Sequence, residues 1–438
     1  CIRDRRARMT DSAKIMAAGC AAGAAAAVIP TVYGIVKTFS RPLEERDRLT
    51  AQGDGFVTAA GKQVFLRGIN LADALPELLR DGEVLNAGSS EIFSLLGDRF
   101  GSYGARKLFE RYGEGLVSDK DVKYISKLGA NCVRIPLRSE LLFKKDGCKG
   151  DPELDRLDHI VAKCRKAGLY VIFDLHSAPG FQNNDISCGK ADSCRFFEQG
   201  KEGFEARNAA VRLWSRLAAH YKDEPAVAGY DLLNRPLLRV ADWEKSLDTL
   251  HKFYYRAFSA IRNSGSEQIV IMQAAHGADT LPDPAKYEGK NVAFGLYSHF
   301  HTTFETDALV KSLGAKGGRR VPFIVCKLRT DVSPEYPLSA LSDAGVSWLI
   351  GDFKGSGASA LYYGVAGGAD IAADGYEEIA SNLAGAAATP QLTENTELAA
   401  ELKVQFGRRY VAASSESIEK PEKGFKFKLG FNAVVGVK

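Results

Sequence analysis

The sequence predicts an α/β chain folded as a closed (β/α)8 barrel of the TIM type, preceded by a transmembrane helix. Two observations point to the barrel: eight short apolar, strand-like runs, and amphipathic helical stretches lying between them. Strands that alternate with helices build parallel βαβ units, and eight such units close on themselves. The third observation is a charge-free run of 22 residues, 15–36, long enough to cross a bilayer as a helix. A barrel takes roughly 250 residues, often more with insertions. A chain of 438 residues therefore has room for one barrel and two appendages.

In chain order, residues 1–14 form a basic segment in which Arg3, Arg5, Arg6, Arg8 and Lys14 outnumber Asp4 and Asp11. The basic excess on that flank of the 15–36 helix places the N-terminus inside and the barrel on the extracytoplasmic side. Gly19 and Gly23 share one helix face at a spacing that lets a partner membrane helix approach closely. A cleaved signal peptide with a secreted barrel, or a segment directed to an organelle membrane, are the alternatives. A charged linker follows over 37–54. The barrel then occupies 55–410, with strands expected at 64–71, 132–137, 170–176, 228–234, 269–274, 292–298, 323–327 and 346–350. Helical periodicity covers 119–128, 154–167, 206–220, 243–263 and 306–313, and a closing helix is expected near 394–409. Residues 411–438 read as a flexible tail whose end alternates apolar and basic residues, like an edge strand or a docking peptide.

Composition excludes several classes. A net charge of +4, without a basic helix or an aromatic-basic array, argues against nucleic acid as a partner. Eight cysteines in this length do not make a disulfide scaffold, and no Cys/His cluster has zinc spacing, so neither a metal nor a cofactor is expected. Cys188 and Cys194 bracket a short polar loop, which a local disulfide closes if the compartment is oxidising; two free thiols are the alternative.

Four strand ends carry the chemistry: Asp174-Leu175-His176, Asn234-Arg235-Pro236, His299-Phe300-His301 and Cys326-Lys327. With Phe65-Leu66-Arg67-Gly68-Ile69-Asn70, Asn131-Cys132-Val133-Arg134-Ile135-Pro136 and Tyr221-Lys222-Asp223-Glu224-Pro225, these motifs stand in the order found in glycoside hydrolase family 5. The stretch from Asp174 to Asn183 resembles the exo-β-glucanase branch of that cellulase family. The resemblance spans roughly residues 55–365. It implies sugar-contacting roles for Arg134, His176, Asn234 and His299. It also implies two catalytic glutamates, and here this chain departs from the pattern, with Arg235 at one position and Lys327 at the other. His301 stands for the usual tyrosine, and Gly351 stands for the sugar-platform tryptophan, unless Trp348 swings in to replace it.

Retaining glycoside hydrolysis needs one carboxyl as acid/base and a second as nucleophile, about 5 Å apart. Arginine does not deprotonate, and lysine stays cationic unless deeply buried, so neither fills those roles. The expectation is a pseudo-glycosidase acting as a structural or accessory subunit of a membrane-anchored assembly. A carbohydrate-binding pseudoenzyme is the second reading, with an acidic sugar, phosphate or sulfate held by Arg134, Arg235 and Lys327, or a polysaccharide stacked on Phe181, Trp348, Tyr362 and Tyr363. A third is an active hydrolase with relocated carboxylates, Glu305 among them. Two cations in one cavity require nearby anions, for which Asp174, Asp231, Glu140 and Asp352 are candidates.

Overall fold

A computed structural model of the chain describes residues 41–71, 78–142, 152–314, 318–355, 359–363 and 368–408. The expected basic segment, the 15–36 helix with its Gly19/Gly23 face, and the 411–438 tail lie outside the described residues. Among the described residues no helix is long and apolar enough to cross a membrane.

Eight parallel strands close a barrel: β1 (Arg67–Asn70), β2 (Cys132–Arg138), β3 (Tyr170–Ser177), β4 (Val227–Asp231), β5 (Ile269–Gln273), β6 (Val292–Phe300), β7 (Phe323–Thr330) and β8 (Ser347–Ile350). Each is hydrogen-bonded to its sequence neighbours, and β8 closes on β1 through pairs such as Leu349 with Gly68. The strands are buried on both faces, and β3 is buried at every position, as expected where helices cover a parallel sheet. Gly68 is required at the β1–β2 contact, where a Cβ would collide with the carbonyl of Cys132.

The outer layer comprises α1 (Ser89–Leu116), α2 (Asp119–Leu128), α3 (Pro152–Ala167), α4 (Lys201–Tyr221), α5 (Leu247–Asn263), α6 (Thr303–Ser312), α7 (Glu335–Asp343), α8 (Tyr376–Ala387) and α9 (Thr396–Gly407). Between β5 and β6 only short 3-10 turns intervene. Local sequence fixes the helix ends. Ser118 and Asp121 form a reciprocal capping box at the start of α2, and Gly129 ends it in the left-handed region at φ 100°.

The structure moves three sequence expectations. Residues 41–54 are not a plain linker: Glu45–Asp47 forms a 3-10 turn, and Leu49–Gln52 pairs with Gly55–Thr58 in an antiparallel hairpin. The Ala51 amide of that hairpin donates to Asn291 Oδ1 at 2.6 Å, fastening it before β6. Strands β6 and β7 run to Phe300 and Thr330, further than apolar patterning indicated, because polar residues at their ends still pair in register. Trp348 does not swing into the barrel mouth. It is 0% exposed, donates Nε1 to Ser342 at 3.0 Å, and stacks on Phe406 of the closing helix α9 at 5.4 Å between ring centroids. Alternation along β8 points it outward into the helix layer, where its large apolar surface is worth most.

Candidate functional site

Arg134 lies beneath the C-terminal ends of the strands, within the barrel. It projects from β2 and is 1% exposed. Its Nε donates to Asp231 Oδ2 at 2.9 Å, Nη1 to Asn70 Oδ1 at 3.1 Å and Nη2 to Asn234 Oδ1 at 3.0 Å. Asp174 also lies 2.8 Å from Nη2, so one guanidinium serves two buried carboxylates. Burial pushes the Asp231 carboxyl above its usual range; Arg134 pulls it back, and Asp174 adds repulsion. Gln273 relieves Asp231 further by donating Nε2 to Oδ2 at 2.6 Å.

His176 extends this network. Its Nδ1 is 2.5 Å from Asp174 Oδ2, and its Nε2 is 3.3 Å from Asn234 Nδ2. Gln182 closes the assembly by donating to the carbonyls of His176 and Asn234 at 2.7 and 2.9 Å. His176 and Asn234 are 3% and 0% exposed. Arg134, His176 and Asn234 are therefore brought together in one buried network, in which Asp231 Oδ1 has no hydrogen-bond partner among the described residues.

Arg235 and Lys327 do come together near the mouth. Arg235 follows β4 in the left-handed region at φ 46°, where its amide is held by Gln273 Oε1 at 3.1 Å and its carbonyl by Asn183 Nδ2 at 2.9 Å. Its guanidinium lies 4.0 Å above the Tyr297 ring, and Tyr297 stands opposite Lys327 in the β6–β7 register. Each cation has a protein carboxylate. Arg235 Nη1 is 3.8 Å from Asp185 Oδ1, and Arg239 adds a second contact to that carboxylate at 3.3 Å. Lys327 Nζ is 2.7 Å from Asp352 Oδ1. Of the four anions that the sequence suggested, only Asp352 serves one of these cations; Asp174 and Asp231 are committed to Arg134. Burial alone would raise Asp185, but hydrogen bonds from Ser187 and the charges of Arg235 and Arg239 outweigh it and hold the carboxyl below its usual range.

Other expectations are corrected here. Arg134, expected to hold an acidic group with Arg235 and Lys327, is instead buried and committed to Asp174 and Asp231. Gly351 leaves no space for a platform side chain, because a Cβ there would collide with the carbonyl oxygen of Ser359. Tyr362 packs against Phe353 and Tyr124. Glu305 is a helix cap: its Oε2 accepts the amides of His301 at 2.6 Å and Thr302 at 3.1 Å. Cys188 and Cys194 are free thiols. The Cys188 thiol is buried and donates to the Asn183 and Lys190 carbonyls at 3.3 and 3.5 Å, so the loop is fastened by hydrogen bonds.

His299 and His301 lie at the end of β6 with side chains 32% and 57% exposed. Both meet Asp331, a residue that sequence reasoning missed. Tyr297 and Asp185 were missed as well. Tyr297 was within reach, since it shares the 297–299–301 alternation of one strand face. Asp185 and Asp331 gave no signal, because their partners lie 50 and 30 or more positions away along the chain.

Residues 103–307 match the family described as Cellulase (glycosyl hydrolase family 5). Over 265 residues the chain is 29% identical to a "Beta-xylosidase" of Phanerodontia chrysosporium, covering 57% of this chain and 52% of that one. Over 180 residues it is 32% identical to a "Glucan 1,3-beta-glucosidase" of Schwanniomyces occidentalis, covering 40% of each. The chain thus spans about half the length of these relatives or less. Among solved structures, an endogalactoceramidase superposes with a TM-score of 0.53 at 18% identity, covering 81% of this chain and 84% of that chain. A rutinosidase from Aspergillus niger gives 0.50 at 14% identity, covering 68% and 92%. These two likenesses concern the fold.

Replacing Arg134 by Met strands Asp174 and Asp231 in the interior. The expected loss is about 3–5 kcal/mol of unfolding free energy, measured by urea denaturation. Asp185 gives a pH test. Its folded carboxyl titrates below the unfolded one, so its contribution is fully present above the unfolded value, about 3.9, and is lost as pH falls through the folded value. Asp185→Asn should lower the melting temperature at neutral pH, and its difference from the unsubstituted protein should shrink toward zero on acidification below about pH 4.

Proposed function

We propose that this chain, which belongs to the cellulase family, glycosyl hydrolase family 5, is a non-hydrolytic member whose barrel serves as a structural or accessory subunit of a membrane-anchored assembly. The observation that carries the reading is the neutralised pair of cations. Arg235 and Lys327 stand where the family resemblance implies carboxyls; Lys327 is bound to Asp352, and Arg235 shares Asp185 with Arg239. A general acid for glycoside cleavage needs a carboxyl held protonated near neutral pH. Asp185 is held in the opposite direction by Ser187 and two arginines. Asp352 is tied to Lys327, Glu305 to backbone amides, and Asp174 and Asp231 to Arg134. The retained polar residues then have a role that needs no substrate: they satisfy one another and hold the strand ends together.

The membrane part of the proposal rests on the uncharged 15–36 segment and its basic flank. Sugar binding draws less support, since Trp348 is buried, the Gly351 position has no space for a platform and the two cations are already paired.

The full chain should release no glucose or xylose from β-1,3-glucan, β-1,4-glucan or aryl β-glycosides above a buffer blank. Turnover that disappears in Asp185→Asn or Asp352→Asn would overturn the proposal in favour of relocated carboxylates. Carbonate washing of membranes from cells expressing the full chain should leave it in the pellet; release into the supernatant would remove the anchored assembly.

A further inference from the structure

We infer that His299, His301 and Asp331 form a binding site for a borderline divalent metal ion of the zinc class, at the C-terminal ends of β6 and β7. His299 Nε2 lies 2.9 Å from Asp331 Oδ1, and His301 Nδ1 lies 2.6 Å from Asp331 Oδ2. The two imidazoles face each other at 4.3 Å between centroids, and one donor atom from each residue falls within a common 4.8 Å. A tetrahedral ion with bonds of about 2.0–2.1 Å holds its ligands about 3.4 Å apart. Small side-chain rotations bring these three to that spacing, with the ion taking the place of the shared protons.

The backbone beneath the cluster is fixed, which separates it from a chance meeting of surface side chains. His299 lies in β6 and His301 in the bend just after its end, and both rings meet Asp331 on one side. The His301 amide is held by Glu305, and the Asp331 amide donates to the Phe300 carbonyl at 2.9 Å, continuing the β6–β7 ladder. Thr330 Oγ1 accepts the Val332 amide at 3.2 Å, which fixes the turn that presents Asp331. Two imidazole nitrogens and a carboxylate oxygen suit zinc, cobalt or nickel rather than magnesium or calcium. Three protein ligands leave a coordination position open toward solvent. Sequence spacing gave no hint of this site, since the carboxylate comes from the next strand.

The test is calorimetric titration of the full chain, free of any polyhistidine tag and stripped with chelator, with zinc chloride, repeated with cobalt(II) while visible absorption is followed. The expected result is saturable binding of a single equivalent per chain, with a cobalt band marking nitrogen ligation. His299→Ala, His301→Ala and Asp331→Asn should each weaken binding by more than about 10-fold. His276→Ala, an exposed histidine outside the cluster that packs on Trp243, should bind as the unsubstituted chain does. Because the three side chains face solvent, the metal-free variants should melt with the unsubstituted chain, so lost binding is not lost folding. Absence of saturable binding, or binding unchanged in all three variants, would reduce the cluster to a hydrogen-bonded His-Asp-His group and overturn the inference.

Discussion

The barrel mouth depends on one buried guanidinium. Arg134 links β2 to Asp174 on β3, to Asp231 on β4, to Asn70 on β1 and to Asn234 after β4. A cation in the interior is tolerable only where carboxylates and amide oxygens meet all of its donors, and removing one member leaves the others exposed to the full desolvation cost. His176, Gln182 and Gln273 are fixed in turn by the groups that Arg134 fixes. The network would be needed to hold four strand ends in register even if no substrate ever arrived.

Above that floor lies a second set of charges. An active mouth of this kind carries two acidic groups, one of them protonated. Here Arg235, Arg239 and Lys327 meet two carboxylates, Asp185 and Asp352, and an aromatic ring, Tyr297, lies against Arg235. A ligand would have to break ion pairs to gain contact, and that cost weighs against tight binding of either a neutral or an acidic sugar.

Much of the barrel was legible in the sequence because parallel strands buried on both faces read as apolar runs, and the intervening helices show their period. Local chemistry was legible too, as in the Ser118–Asp121 cap. The hairpin before β1 was not, since its short strands are half polar and look like linker. Within the site, the identity of Arg235 and Lys327 was plain, and Asp352 was among the anions expected beside them, whereas Asp185 was not. Asp185 is an ordinary loop acid until the fold carries it to Arg235. Trp348 was misplaced for a related reason: a tryptophan near a strand end suits a sugar platform or a helix contact equally well, and only its place in the alternation of β8 decides between them.

The ion pairs at the mouth bear on what an acidic residue at either cation's position would meet. A glutamate at position 235 would stand against Asp185, and one at 327 against Asp352. Two like charges at about 4 Å repel by about 4 kcal/mol at a typical effective dielectric near a protein surface. The left-handed backbone at Arg235, held by Asn183 and Gln273, would remain whichever side chain was attached. An acidic residue at either position alone therefore gives a less stable protein. The facing acid would have to change with it, so the charges at the mouth are coupled and no one of them can be inverted by itself.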